Sequence, residues 1–517
     1  MMSKNGLRMA GVLGCLAFAS ADAALRREPP VFAPPAVTLK GPGLIRAATG
    51  TASPHVFDVH YTGAGGYPDV QHDVRGLAAE PTVEALGGGR YRVTLDSDDR
   101  LVEGLGRGTV TVRMCTETPC QNPIPGATAR TLVTVQLRWG DGPDWAGYQA
   151  NAAHDGHVAI AVDPRRIAKA WTWDAGISSH IRGGTQVATS GTLGFLPIRL
   201  DTGERLVALD LRTGTPAWTK DFPLAAALNP AATAGDRVYI ATTGHEETFL
   251  WSFDAIDGTD RSRSTFHVQW SHVLAPTIAD GVAYVNGGFY TKGVYAFDAD
   301  DGLPLWSMFS DNNDETTPAV ADGRVYYYDG YRLKVYDAFD GTDQLTIEDP
   351  LDPDWAGYSY RAAPMLGSTD HVLAPSGNDH YRDRHLVNYS PSLRSSRWTS
   401  VRSYLSVPAG NDGLVYAISN NPLTFDAIDE ASGARVASWM PGMASGSFVG
   451  NVALTRNLAF VSTYTRTYAI DRATFQPVWS APVSGSLSIS GTGMLLIVEQ
   501  LEPYSGNNQR VHAYSLR

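Results

Sequence analysis

The stretch PAVADGRVYYYDGYRLKVYDAFDGTDQL at residues 318–345 contains one complete unit of the repeat that decides the fold. A proline opens a short apolar run, the turn ADG follows, and RVYYY has the valine and tyrosines typical of a β-strand. A third run ends in Asp337, a turn containing Gly341 comes next, and a fourth run closes the unit. This alternation of short runs and turns predicts four antiparallel strands.

The same unit recurs along the second half of the chain. Its opening prolines stand 42 to 46 residues apart, and an apolar β-former follows each proline eight or nine residues later. The prolines are Pro230, Pro276, Pro318, Pro364 and Pro408, and the β-formers are Tyr239, Tyr284, Tyr326, Leu373 and Tyr416. Four strands in about 44 residues are typical of one blade of a β-propeller.

The number of blades follows from where the repeat begins and ends. Seven complete units follow His180, and a remnant of three strands precedes Arg517. The run AKAWTWD at 168–174 is a strand without a unit of its own. If it pairs beside residues 509–516, it completes the last blade and removes an open sheet edge. The sequence therefore predicts an all-β chain with an eight-bladed propeller over 163–517, closed by an N-terminal strand.

Four parts are predicted before the propeller. Residues 1–23 have the charged start, apolar run and Ala-x-Ala end of a signal peptide, and residues 24–36 are a Pro-rich linker. Short alternating strands over 37–140 predict a small immunoglobulin-like β-sandwich, and residues 141–162 connect it to the propeller.

The signal peptide predicts a periplasmic or extracellular protein. Cys115 and Cys120 are then expected to form a disulfide, and a metal site there is disfavoured because no further ligands lie nearby. Lipidation of Cys15 is the less favoured alternative, since the apolar run before it is short. No later run reaches the ~18 apolar residues of a transmembrane segment. We expect a monomer.

Charge and composition limit the partners. The chain has 41 Lys and Arg against 53 Asp and Glu, a formal net charge of −12, which argues against nucleic acid and anionic membranes. With 43% hydrophobic and 18% charged residues, it is too apolar for a disordered chain. An envelope protein or a glycan is the expected partner.

Several stretches resemble pyrroloquinoline-quinone-like (PQQ-like) propellers. The matches to the tryptophan-docking motif of that family are ALDLRTGTPAW at 208–218, AFDADDGLPLW at 296–306, AIDRATFQPVW at 469–479 with Phe475 in place of glycine, and YDAFDGTDQL at 336–345 with Leu345 in place of tryptophan. DWAGYQANAAHDGHV at 144–158 is similar to the sequence that precedes many such propellers. The resemblance implies the fold, which serves both dehydrogenases and non-catalytic scaffolds.

Catalysis is not indicated by the sequence. Quinoprotein dehydrogenases of this family hold their cofactor at two adjacent cysteines, with Ca²⁺ and an Asp base, whereas the predicted propeller here has no cysteine. Motifs for acyl transfer, phosphate binding, zinc proteolysis and dinucleotide binding are also absent from the sequence. We predict no catalytic residue, no metal site and no quinone cofactor, and leave calcium open. The alternatives are a quinoprotein dehydrogenase, a polysaccharide-active enzyme, and an outer-membrane assembly scaffold, which in this family lacks a sandwich domain.

Two polar clusters are expected to be solvated loops. His154-Asp155-Gly156-His157 could present two imidazoles to a metal, but it lies in a turn-rich segment. Asp311 to Glu315 has the oxygen density of a calcium loop without its regular spacing.

One face of the propeller is predicted to bind the partner. This face carries the loops that lead from the outer strand of one blade to the inner strand of the next. The residues expected nearest the central channel are His180, Arg182, His272, Tyr360, Arg361, Arg402 and Tyr404. Tyr and Arg concentrate at binding centres because they give large contact area for little ordering entropy.

Overall fold

The computed structural model describes residues 34–48, 52–98, 104–138, 142–176, 179–182, 184–243, 248–268, 274–287, 293–309, 316–351, 363–376, 384–499 and 510–517. The predicted signal peptide, most of the linker and the acidic run 311–315 lie outside the described residues. In the described parts, no helix has the length and apolar character needed to cross a membrane.

The N-terminal region is a β-sandwich. Its strands are β1 (Val37–Lys40), β2 (Leu44–Ala48), β3 (Pro54–Tyr61), β4 (Tyr67–His72), β5 (Thr82–Gly87), β6 (Arg90–Asp96), β7 (Gly104–Cys115) and β8 (Pro123–Arg138). One sheet has the order β1-β3-β6-β5 and the other β2-β8-β7-β4, with β2 parallel to β8. Side chains of both sheets, among them Phe57, Val93, Val112 and Val135, share one buried core. Their burial at alternate positions follows from the two-residue period of a strand.

The predicted disulfide is confirmed. Cys115 ends β7 and is bonded to Cys120, with the two Cα atoms 5.5 Å apart. The bond closes a short loop at one end of the sandwich.

From β9 (Ala168–Asp174) onward, the described strands form antiparallel sheets, numbered here in chain order. The first sheet contains β10 (Ser179–His180), β11 (Ala188–Ser190), β12 (Leu193–Leu200), β13 (Gly203–Asp210) and β14 (Thr215–Phe222). The second contains β15 (Ala227–Leu228), β16 (Ala232–Ala234), β17 (Arg237–Thr243), β18 (Phe249–Asp254) and β19 (Asp260–Thr265). The third contains β20 (Thr277–Ala279), β21 (Val282–Asn286), β22 (Val294–Asp298) and β23 (Pro304–Met308). The fourth contains β24 (Ala319–Ala321), β25 (Arg324–Tyr328), β26 (Arg332–Asp337) and β27 (Asp343–Glu348).

The fifth sheet joins seven strands: β28 (Met365–Leu366), β29 (Val372–Pro375), β30 (Arg384–Ser390), β31 (Ser395–Asn411), β32 (Leu414–Asn420), β33 (Leu423–Asp429) and β34 (Arg435–Trp439). The long strand β31 pairs with β30 along its first part and with β32 along its last part. The sixth sheet contains β35 (Phe448–Leu454), β36 (Leu458–Thr463), β37 (Thr467–Asp471) and β38 (Pro477–Ala481). The seventh contains β39 (Gly485–Ile489), β40 (Met494–Glu499), β41 (Arg510–Ser515) and β9. Two single-turn 3-10 helices, Pro164–Arg166 and Met443–Ser445, lie between strands.

The seventh sheet takes its outer strand from the start of this region. β9 pairs antiparallel with β41, with Trp173 opposite Val511, so the predicted pairing of residues 168–174 is confirmed. The innermost strands of successive sheets contact one another in chain order. The amide of Val187, just before β11, donates to Ser488 Oγ of β39 at 3.1 Å and so links the first sheet to the last. The sheets therefore follow a closed circuit.

Tryptophans on outer strands join one sheet to the next. Trp218 of the first sheet donates its indole N–H to the Ala255 carbonyl at 3.0 Å, and its ring lies against Gly258 of the second sheet. Gly258 has a φ of +73°, and a Cβ there would come within 2.8 Å of the ring, so only glycine fits. The same arrangement joins Trp171 and Trp306 to Gly214 and Gly341 of the following sheets, and within the fifth sheet it joins Trp398 to Gly433. Since Trp171 lies on β9, one of these contacts also connects the seventh sheet to the first.

Phe475 departs from this pattern without losing the turn. It keeps a positive φ of 56°, which is costly for a residue with a Cβ. Its ring stacks on Phe425 with centroids 5.2 Å apart and planes within 5°. An aromatic ring therefore stands in the place where the motif usually has a glycine.

Candidate functional site

Residues 142–158, called here the central segment, run along the inner strands of the sheets at one end of the circuit. Carbonyls of the segment accept hydrogen bonds of 2.6–2.8 Å from inner-strand amides. The donors Thr189, Thr233, Val320, Leu366, Gly410 and Leu454 pair in that order with Trp145, Ala146, Ala152, Ala153, Asp155 and Gly156. Inner strands are sheet edges with unpaired amides, and the segment supplies the missing acceptors. We call this the segment end.

The periodic prolines have their explanation at this inner edge. Pro318, Pro364 and Pro408 each stand two residues before a residue whose amide donates a hydrogen bond to a carbonyl of the central segment. Amides two residues apart on a strand point to the same side, so a non-proline residue there would aim a further N–H at the centre. Proline has no N–H, and an edge position tolerates it. The proline carbonyls are used instead: Pro364 O lies 2.8 Å from His154 Nδ1, and Pro408 O accepts from Gln149 at 3.4 Å.

In the described part of the chain, the inner strand of the third sheet lacks such a hydrogen bond, and the seventh sheet is joined to the segment in the other direction, by the Gly142 amide donating to the Gly491 carbonyl. Ile278 in β20 corresponds to Val320 in β24, since the two strands pair in the same register with the strands that follow them. Within the described residues, no backbone hydrogen bond joins Ile278 to the central segment. A small niche opens at this place, lined by Tyr148, Asn151, His154 and Thr277 as well as Ile278.

Buried side chains fix the central segment to the surrounding sheets. Trp145 is fully buried and donates its indole N–H to Gln186 Oε1 at 3.0 Å. Gln186 in turn donates to Gln149 Oε1 at 3.2 Å, and Asn451 donates to the same oxygen at 2.7 Å. A buried polar group that lacks a partner is costly, whereas this network satisfies its members across the first and sixth sheets.

The cluster 154–157 corrects one expectation from the sequence, because it is not a solvated loop. His154 is only 1% exposed, and its ring nitrogens lie beside Pro364 O and Thr277 Oγ1. Burial lowers the pKa of His154 to about 4. Burial, together with Arg472 and Arg456, lowers the pKa of His157 to about 4. Both imidazoles are therefore neutral at pH 7, and both nitrogens of His154 have partners in the protein.

Asp155 lies between these histidines and has the opposite shift. Burial raises its pKa to about 6, although His157 N and Asn151 Nδ2 both donate to its Oδ1. The carboxylate is ionised at pH 7 but costs stability in that form.

The four predicted binding residues that the structure describes, His180, Arg182, Arg402 and Tyr404, lie at the other end of the circuit, called here the loop end. His272, Tyr360 and Arg361 lie outside the described residues. Arg402 and Tyr404 belong to β31, whose Gly410 meets the central segment. At ~3.3 Å per residue, a strand carries residues six to eight positions away to its far end.

The structure brings Arg402 and Tyr404 together on one carboxylate. Asp426 is fully buried; Arg402 Nη1 lies 3.4 Å from its Oδ2, and the Tyr404 hydroxyl donates to the same oxygen at 3.0 Å. Burial and the neighbouring Asp426 raise the pKa of Tyr404. Tyr404 is only 3% exposed, so it does not face solvent. Its role is to position the carboxylate of Asp426, which in turn positions Arg402.

His180 and Arg182 belong to a second group, in the first sheet. His180 pairs with Arg199 on β12, and Arg199 pairs with Glu204 on β13, so the three side chains share one face. Arg182 and Arg199 approach the same Glu204 oxygen at 3.4 and 3.2 Å. Burial, Arg199 and Arg182 lower the pKa of His180.

The carboxylates Glu204 and Asp426 and the second arginine, Arg199, were not among the residues predicted from the sequence. The sequence RLDTGERL does indicate the pairing of Arg199 with Glu204. The two residues stand on either side of a turn that contains Asp-Thr-Gly, and they face each other across the hairpin. Asp426 had no comparable signal, because its partner Arg402 comes from a strand 24 residues earlier.

Three solved structures are similar to this chain at low sequence identity. Among solved structures, the quinohemoprotein alcohol dehydrogenase ADHIIG from Pseudomonas putida HK5 is 13% identical, with a TM-score of 0.51 over 72% of this chain and 80% of that chain. BamB from Moraxella catarrhalis is 14% identical, with a TM-score of 0.46 over 67% and 98% of the two chains. The computationally designed Ika8 protein is 12% identical, with a TM-score of 0.49 over 67% and 99%. Among curated proteins, no sequence matches significantly.

A family model described as outer membrane protein assembly factor BamB matches residues 154–272 and 250–480. These matches together cover residues 154–480, well over half of the chain, and they extend over the first six of the repeated sheets. The protein therefore belongs to this family of PQQ-like repeat β-propellers.

Proposed function

We propose that this chain is an exported, non-catalytic binding or scaffold protein that recognises an envelope protein or a glycan through its loop end. The observation that carries the proposal is the way two arginines are held there. Arg182 and Arg402 keep 27% and 29% of their side chains exposed, while their partners Glu204 and Asp426 are 2% and 0% exposed. A guanidinium fixed by a buried carboxylate loses less entropy on binding than a free surface arginine.

The proposal includes the finer architecture. The fifth sheet counts as two blades that share β31, which together with the other sheets gives an eight-bladed ring. The N-terminal sandwich is assigned the immunoglobulin-like type because it combines two four-stranded sheets with a common core.

The residues of this chain do not fit a quinone cofactor at the segment end. Trp145, Gln149 and His154 fill the centre there with at most 1% exposure, and their polar atoms are used by the inner strands. The chain's cysteines are Cys15, Cys115 and Cys120, so no adjacent pair is present in the propeller. We derive no reaction through that cofactor.

A second candidate function is a scaffold for outer-membrane protein assembly. It is supported by the description of the family model that matches residues 154–480. The two candidates differ in partner: the scaffold would take membrane-protein assembly components, whereas the general recognition function also includes glycans.

The experiment removes both exposed guanidiniums and keeps a polar group in each place. The double variant Arg182→Gln, Arg402→Gln is compared with wild type by capture of envelope proteins, identified by mass spectrometry, and by binding to a glycan array. We expect the specific partner to be lost by about tenfold or more, because arginines at binding centres carry ~2 kcal/mol or more.

The matched control is Arg212→Gln. Arg212 is paired with Asp210 in a turn and is 72% exposed, away from both arginine groups. The control should bind as wild type does. Equal binding by wild type and a double variant with an unchanged circular dichroism spectrum would contradict the proposal, and assembly components among the lost partners would favour the scaffold.

A further inference from the structure

The N-terminal sandwich differs from the rest of the chain in its charge. Residues 37–140 contain ten Lys and Arg and ten Asp and Glu, so this region is neutral, whereas the whole chain has a net charge of −12. The acidic residues in excess therefore lie outside the sandwich. Because exposed charges more than ~8 Å apart are largely screened at physiological ionic strength, the local charges of the sandwich decide which charged groups it can bind.

The two outer surfaces of the sandwich also differ in charge. On the sheet β1-β3-β6-β5, strand pairing brings opposite charges together, since Lys40 lies opposite Asp58 and Arg92 lies opposite Glu84. On the sheet β2-β8-β7-β4, the residues that alternate with the buried core include four arginines. These are Arg46, Arg107, Arg113 and Arg130. We call the outer surface that carries them the arginine face.

Carboxylates balance only part of the positive charge of the arginine face. Arg113 pairs with Asp69 of β4, with Nε 2.6 Å from Oδ2. The other three arginines form no ion pair with any residue that the structure describes. A further carboxylate, Asp73, follows the end of β4 and accepts the Thr109 amide at 2.5 Å. The arginine face therefore carries more positive than negative charge.

The three arginines without an ion pair form a band along the sheet. Each of them is exposed and lies opposite a threonine or a glutamine of the neighbouring strand. The pairs are Arg46 with Gln136, Arg107 with Thr134, and Arg130 with Thr111. With strands ~4.8 Å apart and a rise of ~3.4 Å per residue, successive arginines of the band are about 12 and 14 Å apart at their Cα atoms.

Exposed leucines lie among these arginines. Leu44, Leu105 and Leu132 are 46%, 64% and 78% exposed. Leu105 stands two residues before Arg107 on β7, and Leu132 stands two residues after Arg130 on β8, so each leucine is next to an arginine on the same face. The arginine face thus alternates cations, hydroxyl and amide groups, and apolar side chains.

The centre of the arginine face has no aromatic anchor in the described residues, because its aromatic side chain is Tyr67, at the beginning of β4. Protein-binding centres are usually built around such anchors. We propose that the arginine face binds an acidic polysaccharide of the polyuronate class, in which the sugar units carry carboxylates. The site goes beyond the proposed function, since it lies on the sandwich and not at the loop end.

Each kind of side chain on the face has a counterpart in such a polymer. The guanidiniums pair with sugar carboxylates by charge-assisted hydrogen bonds. The threonine hydroxyls and the glutamine amide hydrogen-bond to sugar hydroxyls, and the leucines pack against the C–H surfaces of the rings. Repeated carboxylates match a band of arginines better than a single anion does, because one chain can pair with several arginines at once.

The test titrates the full chain with polygalacturonate at constant ionic strength, followed by isothermal titration calorimetry. Poly-L-glutamate of similar charge is the acidic polypeptide for comparison, and dextran is the neutral polysaccharide. We expect polygalacturonate to bind more tightly than either. The triple variant Arg46→Gln, Arg107→Gln, Arg130→Gln should weaken its binding by about tenfold or more, since three charge-assisted pairs are lost.

The matched control removes three cations from the other outer surface of the same domain. Lys40→Gln, Arg90→Gln, Arg92→Gln makes the same change in net charge on the sheet β1-β3-β6-β5. It should leave the affinity within about twofold of wild type. An equal loss in both folded triple variants would show a diffuse field and overturn the site. Failure of the wild type to bind polygalacturonate, or equal or tighter binding of poly-L-glutamate, would also overturn it, and the latter would point to an acidic protein.

The outcome is separate from that of the proposed function. If polygalacturonate binding depends on the three arginines but the loop-end double variant captures the same partners as wild type, the arginine face stands and the recognition function falls. If the double variant loses its partner while the wild type does not bind polygalacturonate, the recognition function stands and the polysaccharide site falls.

Discussion

The two ends of the circuit differ in how their polar groups are paired. At the segment end, edge amides such as Val320 N are paired with the chain's own central segment, which is anchored by the buried side chains of Trp145 and Gln149. At the loop end, buried carboxylates such as Glu204 hold arginines that remain partly exposed. The difference teaches that polar groups at one end are satisfied within the chain, whereas those at the other end remain partly exposed to solvent. Substitutions at the segment end should therefore change stability, and substitutions at the loop end should change binding.

The largest expected effect comes from removing the anchor of the central segment. Trp145→Ala deletes a fully buried ring and the hydrogen bond to Gln186, so we expect the free energy of unfolding to fall by about 3–5 kcal/mol. Urea unfolding followed by tryptophan fluorescence and circular dichroism measures the loss. Trp173→Ala, which removes a partly buried ring from β9, is the control and should cost less than half as much. A similar loss in both variants would mean that the central segment adds nothing special to stability.

Acidification should weaken the segment end. His154 and His157 have pKa values of about 4 in the folded protein against 6.5 when unfolded. Below pH 6.5 the unfolded state therefore binds protons that the folded state does not, and the free energy of unfolding falls as the pH approaches 4. Asp155, raised from 3.8 to about 6, works the other way, because the cost of its buried charge disappears as the pH falls through that interval. Because two histidines oppose one carboxylate, the free energy of unfolding should fall by roughly 3 kcal/mol between pH 7 and pH 4.

Asp155→Asn separates the effect of the carboxylate from that of the two histidines. The amide oxygen can still accept from His157 N and Asn151, but the buried charge is gone. The variant should melt at a higher temperature than wild type at pH 7.5 and at nearly the same temperature at pH 4, measured by scanning calorimetry. A variant that melts lower than wild type at pH 7.5 would show that the charge is stabilising, contrary to the burial argument.

The smallest effect compares two prolines at equivalent places. Val320→Pro removes an amide that donates to Ala152 O at 2.8 Å, whereas Ile278→Pro removes one that is not bonded to the central segment. We expect Val320→Pro to lower the free energy of unfolding by about 1–2 kcal/mol more than Ile278→Pro. Guanidinium unfolding of the two variants gives this difference directly. If both prolines cost the same, the amide ladder does not contribute to stability.

The repeated units could be predicted from the sequence alone. The spacing of Pro276, Pro318, Pro364 and Pro408 predicts the units, and the strand left over at 168–174 predicts the pairing of β9 with β41, which the structure has. Both inferences use local signals, namely turn residues and strand-forming runs. The docking of Trp398 was missed because Arg394, with a φ of 54°, stands where the motif has its glycine.

The buried environment of the central segment could not be predicted from the sequence. His154 and Asp155 look like solvated turn residues in the sequence, because the groups that bury them are not near them in the chain. Pro364, whose carbonyl meets His154, is 210 residues away, and Pro408, which meets Gln149, is 259 residues away. Polar residues in a turn-rich segment are solvated in most proteins, so the local pattern favours the wrong environment.

The sequence by itself determined the all-β class, the repeated four-stranded unit, the Cys115–Cys120 disulfide and the strand that completes the seventh sheet, because each depends on residues within or between regular units. Only the tertiary structure decided which side chains are held in place and which buried groups hold them. Glu204 under two arginines, Asp426 under Arg402 and Gln149 between two sheets depend on which inner edges face one another. Burial and hydrogen-bond partners are properties of the closed circuit, since they arise only when residues hundreds of positions apart meet.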